Sequence, residues 1–156
     1  MQRLVRPTPA NTVFLCCDVQ TGFQNRIKFF PHLLNTANKL LGAANLMDIP
    51  VIVTEQYPKA LGQTCTELDI SKCILNHPKT KFSMLAPPVV HCISSLKAEN
   101  AVLFGLEVNY AEIVSCLCSA NGARFAARQY QRFCCSRWCR QPKQWRSPDC
   151  NQSILI

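Results

Sequence analysis

Acidic residues are scarce: nine Asp and Glu stand against seventeen Lys and Arg in 156 residues, a formal net charge of +8. Charged residues of either sign reach only 17% while apolar ones make up 48%, a balance that excludes a disordered chain. Long hydrophobic runs are missing too. None approaches the roughly 20 residues of a membrane span, and the N-terminal MQRLVRPTPANT has no apolar stretch of the signal-peptide kind, so no membrane partner is expected. The setting that follows is cytoplasmic and reducing, with thiols free rather than joined in a disulfide framework. No C-x-x-C pair occurs among the eleven cysteines, and the spacing fits neither a zinc finger nor a ribbon. No RRM, KH or finger pattern accompanies the basic excess, so nucleic acid is not an expected partner.

What is present fits one domain. The charge is uneven: Met1 to Val108 carries ten basic and seven acidic residues, and Asn109 to Ile156 seven and two. Cysteines divide likewise, five before Val108 and six after it. Thr12 to Asp18 (TVFLCCD) reads as a buried strand ending in a carboxylate, with Cys16 and Cys17 as core residues. Pro31 opens a helical pattern in which Leu33, Leu34, Ala37, Leu40, Leu41 and Ala44 share one face. Val51 to Thr54 reads as a second strand, Val89 to Ala98 as an amphipathic stretch, and Asn100 to Gly105 as a third strand. Glu55 to Met84 is a long connection without strong periodicity, of the kind that is commonly functional. This order implies an α/β fold with a parallel sheet, whose carboxyl edge should gather Asp18, Thr54, Glu55 and the residues after Gly105.

A carboxylate at the mouth of a buried strand can act as a general base, and a nearby lysine would hold it ionised. Asp18 and Lys79, the latter in H-P-K-T-K-F-S-M, are the candidates, and such a pair could activate a thiol that attacks a carbonyl. In order and spacing, Phe14 to Phe23 (FLCCDVQTGF), Val51 to Gly62 (VIVTEQYPKALG), Pro78 to Met84 (PKTKFSM) and Val102 to Glu107 (VLFGLE) resemble the isochorismatase-like cysteine hydrolases. The T-E-Q-Y-P-x-G-L-G segment is nearly intact, with Lys59-Ala60 where x-Gly is usual. The resemblance implies a three-layer, Rossmann-like α/β fold, a hydrolase acting on a small amide, ester or vinyl ether, and catalytic roles for Asp18 and Lys79. Gln20, Phe23, Glu55, Tyr57 and Phe82 then become candidates for the substrate pocket. It implies no cofactor. His32, His77 and His91 are scattered and no D-x-H follows Asp18, so the zinc of the nicotinamidase branch has no ligands and no metal is expected. The expected partner is a small-molecule substrate, with a homo-oligomer as an open alternative.

The family's cysteine, in a pattern like G-x-E-x-H-x-C-x-x-Q-T, does not follow. The sequence reads Gly105-Leu106-Glu107-Val108-Asn109-Tyr110-Ala111, with Ala111 where the nucleophile should stand. A coding shift accounts for this better than a single substitution. Taking the last two bases of each codon with the first of the next, Ser115 to Asn121 can read His-Ala-Cys-Val-Gln-Gln-Thr, the cysteine arising from Leu117 and Cys118. Phe133 to Asp149 can read as the family's V-V-A-D…S-R-S…D-R segment at the same offset. Residues 1–108 are therefore read as the N-terminal part of a hydrolase domain. Residues 109–156 are read as an aberrant, basic, cysteine-rich tail left by a frameshift, mis-splicing or a sequencing error. The chain as written is expected to be inactive, since Cys116 or Cys118 would serve only if the insertion were reshaped. The rival is a non-catalytic interaction protein.

Overall fold

A computed structural model describes residues 6–106 and the backbone of Arg128 and Gln129. Four longer strands, β1 (Thr12–Cys17), β2 (Val51–Gln56), β3 (Leu75–Lys79) and β4 (Asn100–Gly105), and the two-residue β5 (Arg128–Gln129) form one sheet in the order β3-β2-β1-β4-β5. Every pairing is parallel, so the sheet must be covered on both faces. The register sets Phe14 against Val51 and Val102, Leu15 against Ile52 and Leu103, and Cys17 against Thr54 and Gly105. Alternation along these strands then separates two cores.

Phe14, Cys16, Val51, Val53 and Phe104 face α1 (Phe30–Leu46), which buries Phe30, Leu33, Ala37, Leu41 and Ala44; Leu34 and Leu40, expected on the same stripe, are only partly buried at its margin. Phe14 and Phe104 meet edge to face with centroids 6.2 Å apart. The opposite face carries Val13, Leu15, Cys17, Ile52, Ala101 and Leu103 against α3 (Pro87–Ser95) through Val89 and Ile93. Side chains buried as completely as Leu15 and Ile52 each stabilise the fold by roughly 1.5–3 kcal/mol. Helix, sheet, helix is the three-layer order expected. Prolines open both helices, where a missing N–H costs nothing.

The connection from Glu55 to Met84 departs from expectation. It contains α2 (Pro58–Leu61), a single turn, and a whole strand, β3, so Asn100–Gly105 is the fourth strand in chain order and not the third. Leu-Asn-His-Pro-Lys has no β-branched or aromatic residue, and its burial alternates only weakly. Its strand character comes from pairing with β2, from Ile52 against Leu75 to Gln56 against Lys79, which no local pattern announces. Pro78 is admissible because β3 is the outermost strand on its side among the described residues.

Candidate functional site

The site is built on the carboxyl ends of β1, β2 and β3. Alternation along β1 would send residue 18 toward α1, with Phe14 and Cys16. Instead Asp18 takes a left-handed backbone, φ 55°, and its carboxylate turns to the α3 face. Aspartate is among the few side chains that visit this region at modest cost. The turn delivers Oδ1 to the Thr54 hydroxyl, which donates across 2.9 Å, and Oδ2 to the Lys79 ammonium at 2.6 Å. All three side chains are buried, Asp18 and Thr54 completely.

Lys79 is saturated. Besides Asp18, its Nζ donates to Gln56 Oε1 at 2.8 Å, to the Phe82 carbonyl at 3.0 Å and to the Lys81 carbonyl at 3.4 Å. Its three N–H bonds thus have four acceptors within reach. Burial is the dominant influence on Asp18 and raises its pKa from the ordinary carboxylate value, while Lys79 and Thr54 pull the other way. A buried charge is tolerated here because it is paired and hydrogen-bonded.

The neighbouring thiols differ. Burial, reinforced by the charge of Asp18, pushes both the Cys16 and Cys17 thiols far up. Neither is a nucleophile in this position.

Of the other residues singled out in sequence, Gln20 is fully buried and acts as a brace. Its Oε1 accepts from the Gln56 N–H at 2.8 Å, and its Nε2 donates to the Gln56 carbonyl at 3.0 Å and to the Gly62 carbonyl. Phe23 is packed in the α1-side core. Glu55 points away from Asp18 along the strand alternation. Its Oε1 accepts from the Thr64 N–H (2.8 Å) and hydroxyl (2.7 Å) and from Asn76 (3.3 Å), tying the 62–65 loop to β2. Tyr57 and Phe82 remain half exposed, at 51% and 50%. Both are tethered to Lys79: the Tyr57 N–H donates to its carbonyl at 2.7 Å, and the Phe82 carbonyl accepts from its ammonium. Gln56 was not singled out in sequence, though it lies two residues beyond Thr54 and so on the same face. Ala111, Cys116 and Cys118 lie outside the described residues. Among those described, no three His, Cys, Asp or Glu side chains gather, and no helix is long and apolar enough to cross a membrane.

The strand-end carboxylate paired with a lysine from the next-but-one strand coincides with a sequence match. The isochorismatase domain matches residues 12–117, about two thirds of the chain. The chain belongs to the isochorismatase family. Isochorismatase domain-containing protein 1 of Salmo salar is 45% identical over 102 residues, which is 65% of this chain and 36% of that protein. Isochorismatase domain-containing protein 2 of Xenopus laevis is 37% identical over 108 residues, 69% of this chain and 52% of that one. The chain thus spans between about a third and a half of the length of these curated relatives. Among solved structures, the MAR1 ribonuclease of Caenorhabditis elegans superposes with a TM-score of 0.68 and 34% identity, covering 80% of this chain and 65% of its own. The parallel sheet with flanking helices is this family's fold.

Proposed function

We propose that the domain to which these residues belong hydrolyses a small amide, ester or vinyl ether, in a cytoplasmic setting and without a metal or cofactor. The observation that carries this reading is the buried contact of 2.6 Å between Lys79 and Asp18 at the carboxyl edge of the sheet. Asp18 is the base and Lys79 its electrostatic support. For an amide or ester, Asp18 takes the proton of a cysteine thiol, the thiolate attacks the carbonyl carbon, and that proton leaves with the amine or alcohol. Water then hydrolyses the thioester. Tyr57 and Phe82, exposed and tethered to Lys79, are the favoured walls of the pocket. Gln20, Phe23 and Glu55 support it.

The chain as written lacks the thiol at the family position, which Ala111 occupies, so we assign it no turnover. Residues 109–156 are taken as the product of a displaced reading frame. The deciding experiment sequences the transcript and locus across Leu106 to Asn121, then assays two proteins: the chain as written and the version translated in the displaced frame. The panel holds small amides, esters and vinyl ethers, and also single-stranded RNA because the similar protein of Caenorhabditis elegans is a ribonuclease. Turnover by the restored version alone, abolished by iodoacetamide, is expected. Turnover by the chain as written overturns its inactivity. Silence from both replaces the hydrolase with a non-catalytic interaction protein, and RNA cleavage replaces the small-molecule substrate.

A further inference from the structure

Gln56 is held at both ends of its side chain and at both ends of its peptide. Its Oε1 accepts from Lys79 Nζ at 2.8 Å, and its Nε2 donates to the Thr80 carbonyl at 3.0 Å. The two ends of the amide are not interchangeable, since a flipped amide would set an NH2 against an ammonium and an oxygen against a carbonyl. On the backbone side, the Gln56 N–H and carbonyl are clamped by the single amide of Gln20, which is wholly buried. A continuous run of hydrogen bonds therefore passes from Gln20 through Gln56 and Lys79 to Asp18. Lys79 has a long, flexible stem, and a carboxylate alone fixes its distance but not its direction. The amide oxygen supplies the second bearing, and the carbonyl of Phe82 a third.

We propose that Gln56 is a positioning residue, which aims the Lys79 ammonium at Asp18 and is itself held in register by Gln20. The proposal rests on the reading of Asp18 and Lys79 as the working pair. It adds that their alignment is set by a neutral residue two positions beyond Thr54.

The test uses the full chain and two substitutions, Gln56→Met, which keeps the volume and removes the acceptor, and Gln56→Glu, which keeps an acceptor for Lys79 but loses the donor to the Thr80 carbonyl. Gln24→Met is the control, because among the described residues its side chain bonds to Cys65 and Glu67, away from the pair. Nitrogen-15 NMR follows hydrogen exchange at the Lys79 ammonium, and carbon-13 NMR follows the Asp18 carboxyl through a pH titration. In Gln56→Met the ammonium should exchange at least about tenfold faster and the Asp18 midpoint should rise as its counter-charge loosens. Gln56→Glu should keep the ammonium protected. The control should change neither.

Wild-type exchange and an unmoved Asp18 midpoint in Gln56→Met would overturn the proposal. So would loss of the fold in both Gln56 variants while the control folds, because Gln56 would then be structural. In the version carrying the restored cysteine, Gln56→Met should lower kcat on the order of tenfold to a hundredfold with little change in KM. A rise confined to KM also counts against it. If the restored version has no turnover at all, the hydrolase reading fails while the NMR measurements still decide on Gln56.

Discussion

Thr54 donates its hydroxyl to Asp18 across 2.9 Å, although strand alternation alone would place the two side chains on opposite faces of the sheet. The crossing is made by one backbone dihedral, the positive φ of Asp18. Thr54 is thus the first residue to meet the carboxylate after it turns. Thr54→Val, equal in shape but without the donor, leaves a buried carboxylate oxygen short of a partner. A loss of about 1–3 kcal/mol in urea unfolding is expected. An unchanged midpoint would show that the hydroxyl does not hold the turned carboxylate.

Breaking the ion pair should cost more than replacing it. Lys79→Met strands a buried carboxylate and is expected to destabilise by about 3–5 kcal/mol, whereas Asp18→Asn with Lys79→Met should recover most of that loss. Denaturant titration of the single and double variants checks this. A double variant no better than the single one would mean that Lys79 matters through its backbone-carbonyl contacts and not through its charge.

The pH dependence has a definite sign. Burial raises the Asp18 pKa in the folded state, so the native form binds the proton more tightly than the unfolded chain does. The contribution of Asp18 to stability is therefore fully present below the unfolded value. It is lost as pH rises through the folded value. Relative to Asp18→Asn, the wild type should lose stability between these two points in paired urea titrations from acid to neutral pH. A relative gain over that window would mean that Lys79 outweighs burial.

Two glycines should respond oppositely to alanine. Gly105 has φ 119°, and a Cβ there would run into the backbone of Cys17, immediately before Asp18. Gly105→Ala should destabilise by roughly 1–3 kcal/mol. Gly42 lies within α1 with nothing near its Cβ position, and Gly42→Ala should stabilise by about 0.5–1 kcal/mol. Thermal unfolding of both variants decides; equal effects at the two sites would contradict the close approach of β4 to β1.

Alkylation should rank the thiols by burial. Among the five cysteines of the described residues, Cys73 and Cys92 are partly exposed and should react with iodoacetamide first. Burial raises the Cys65 thiol to about 11, and Cys16 and Cys17 lie deeper still. Peptide mapping by mass spectrometry of the native chain should find the last two unmodified until denaturant is added. Early labelling of Cys17 would reopen it as a nucleophile.

The α/β fold was legible in sequence because its elements announce themselves locally. TVFLCC and NAVLFG are continuous apolar runs, and α1 carries a stripe at helical spacing. The pairing of Asp18 with Lys79 was legible through their motifs, which specify residue type and spacing. What sequence could not show is held by pairing or by backbone. β3 has no strand pattern of its own, and the turned carboxylate depends on a dihedral that no periodicity encodes. Gln20 and Gln56 were ambiguous for another reason: a glutamine that braces two peptides looks, in sequence, like one that meets a ligand.

Pro78 gives the sheet a handed exposure. The border strand bearing Lys79 is short of one main-chain donor, and a neighbour adding there would find a broken row of partners. Among the described residues the other flank is already paired, β4 with β5. The margin that carries Lys79 is thus the one guarded by composition, and it holds the cation of an ion pair whose carboxylate stands two strands inward.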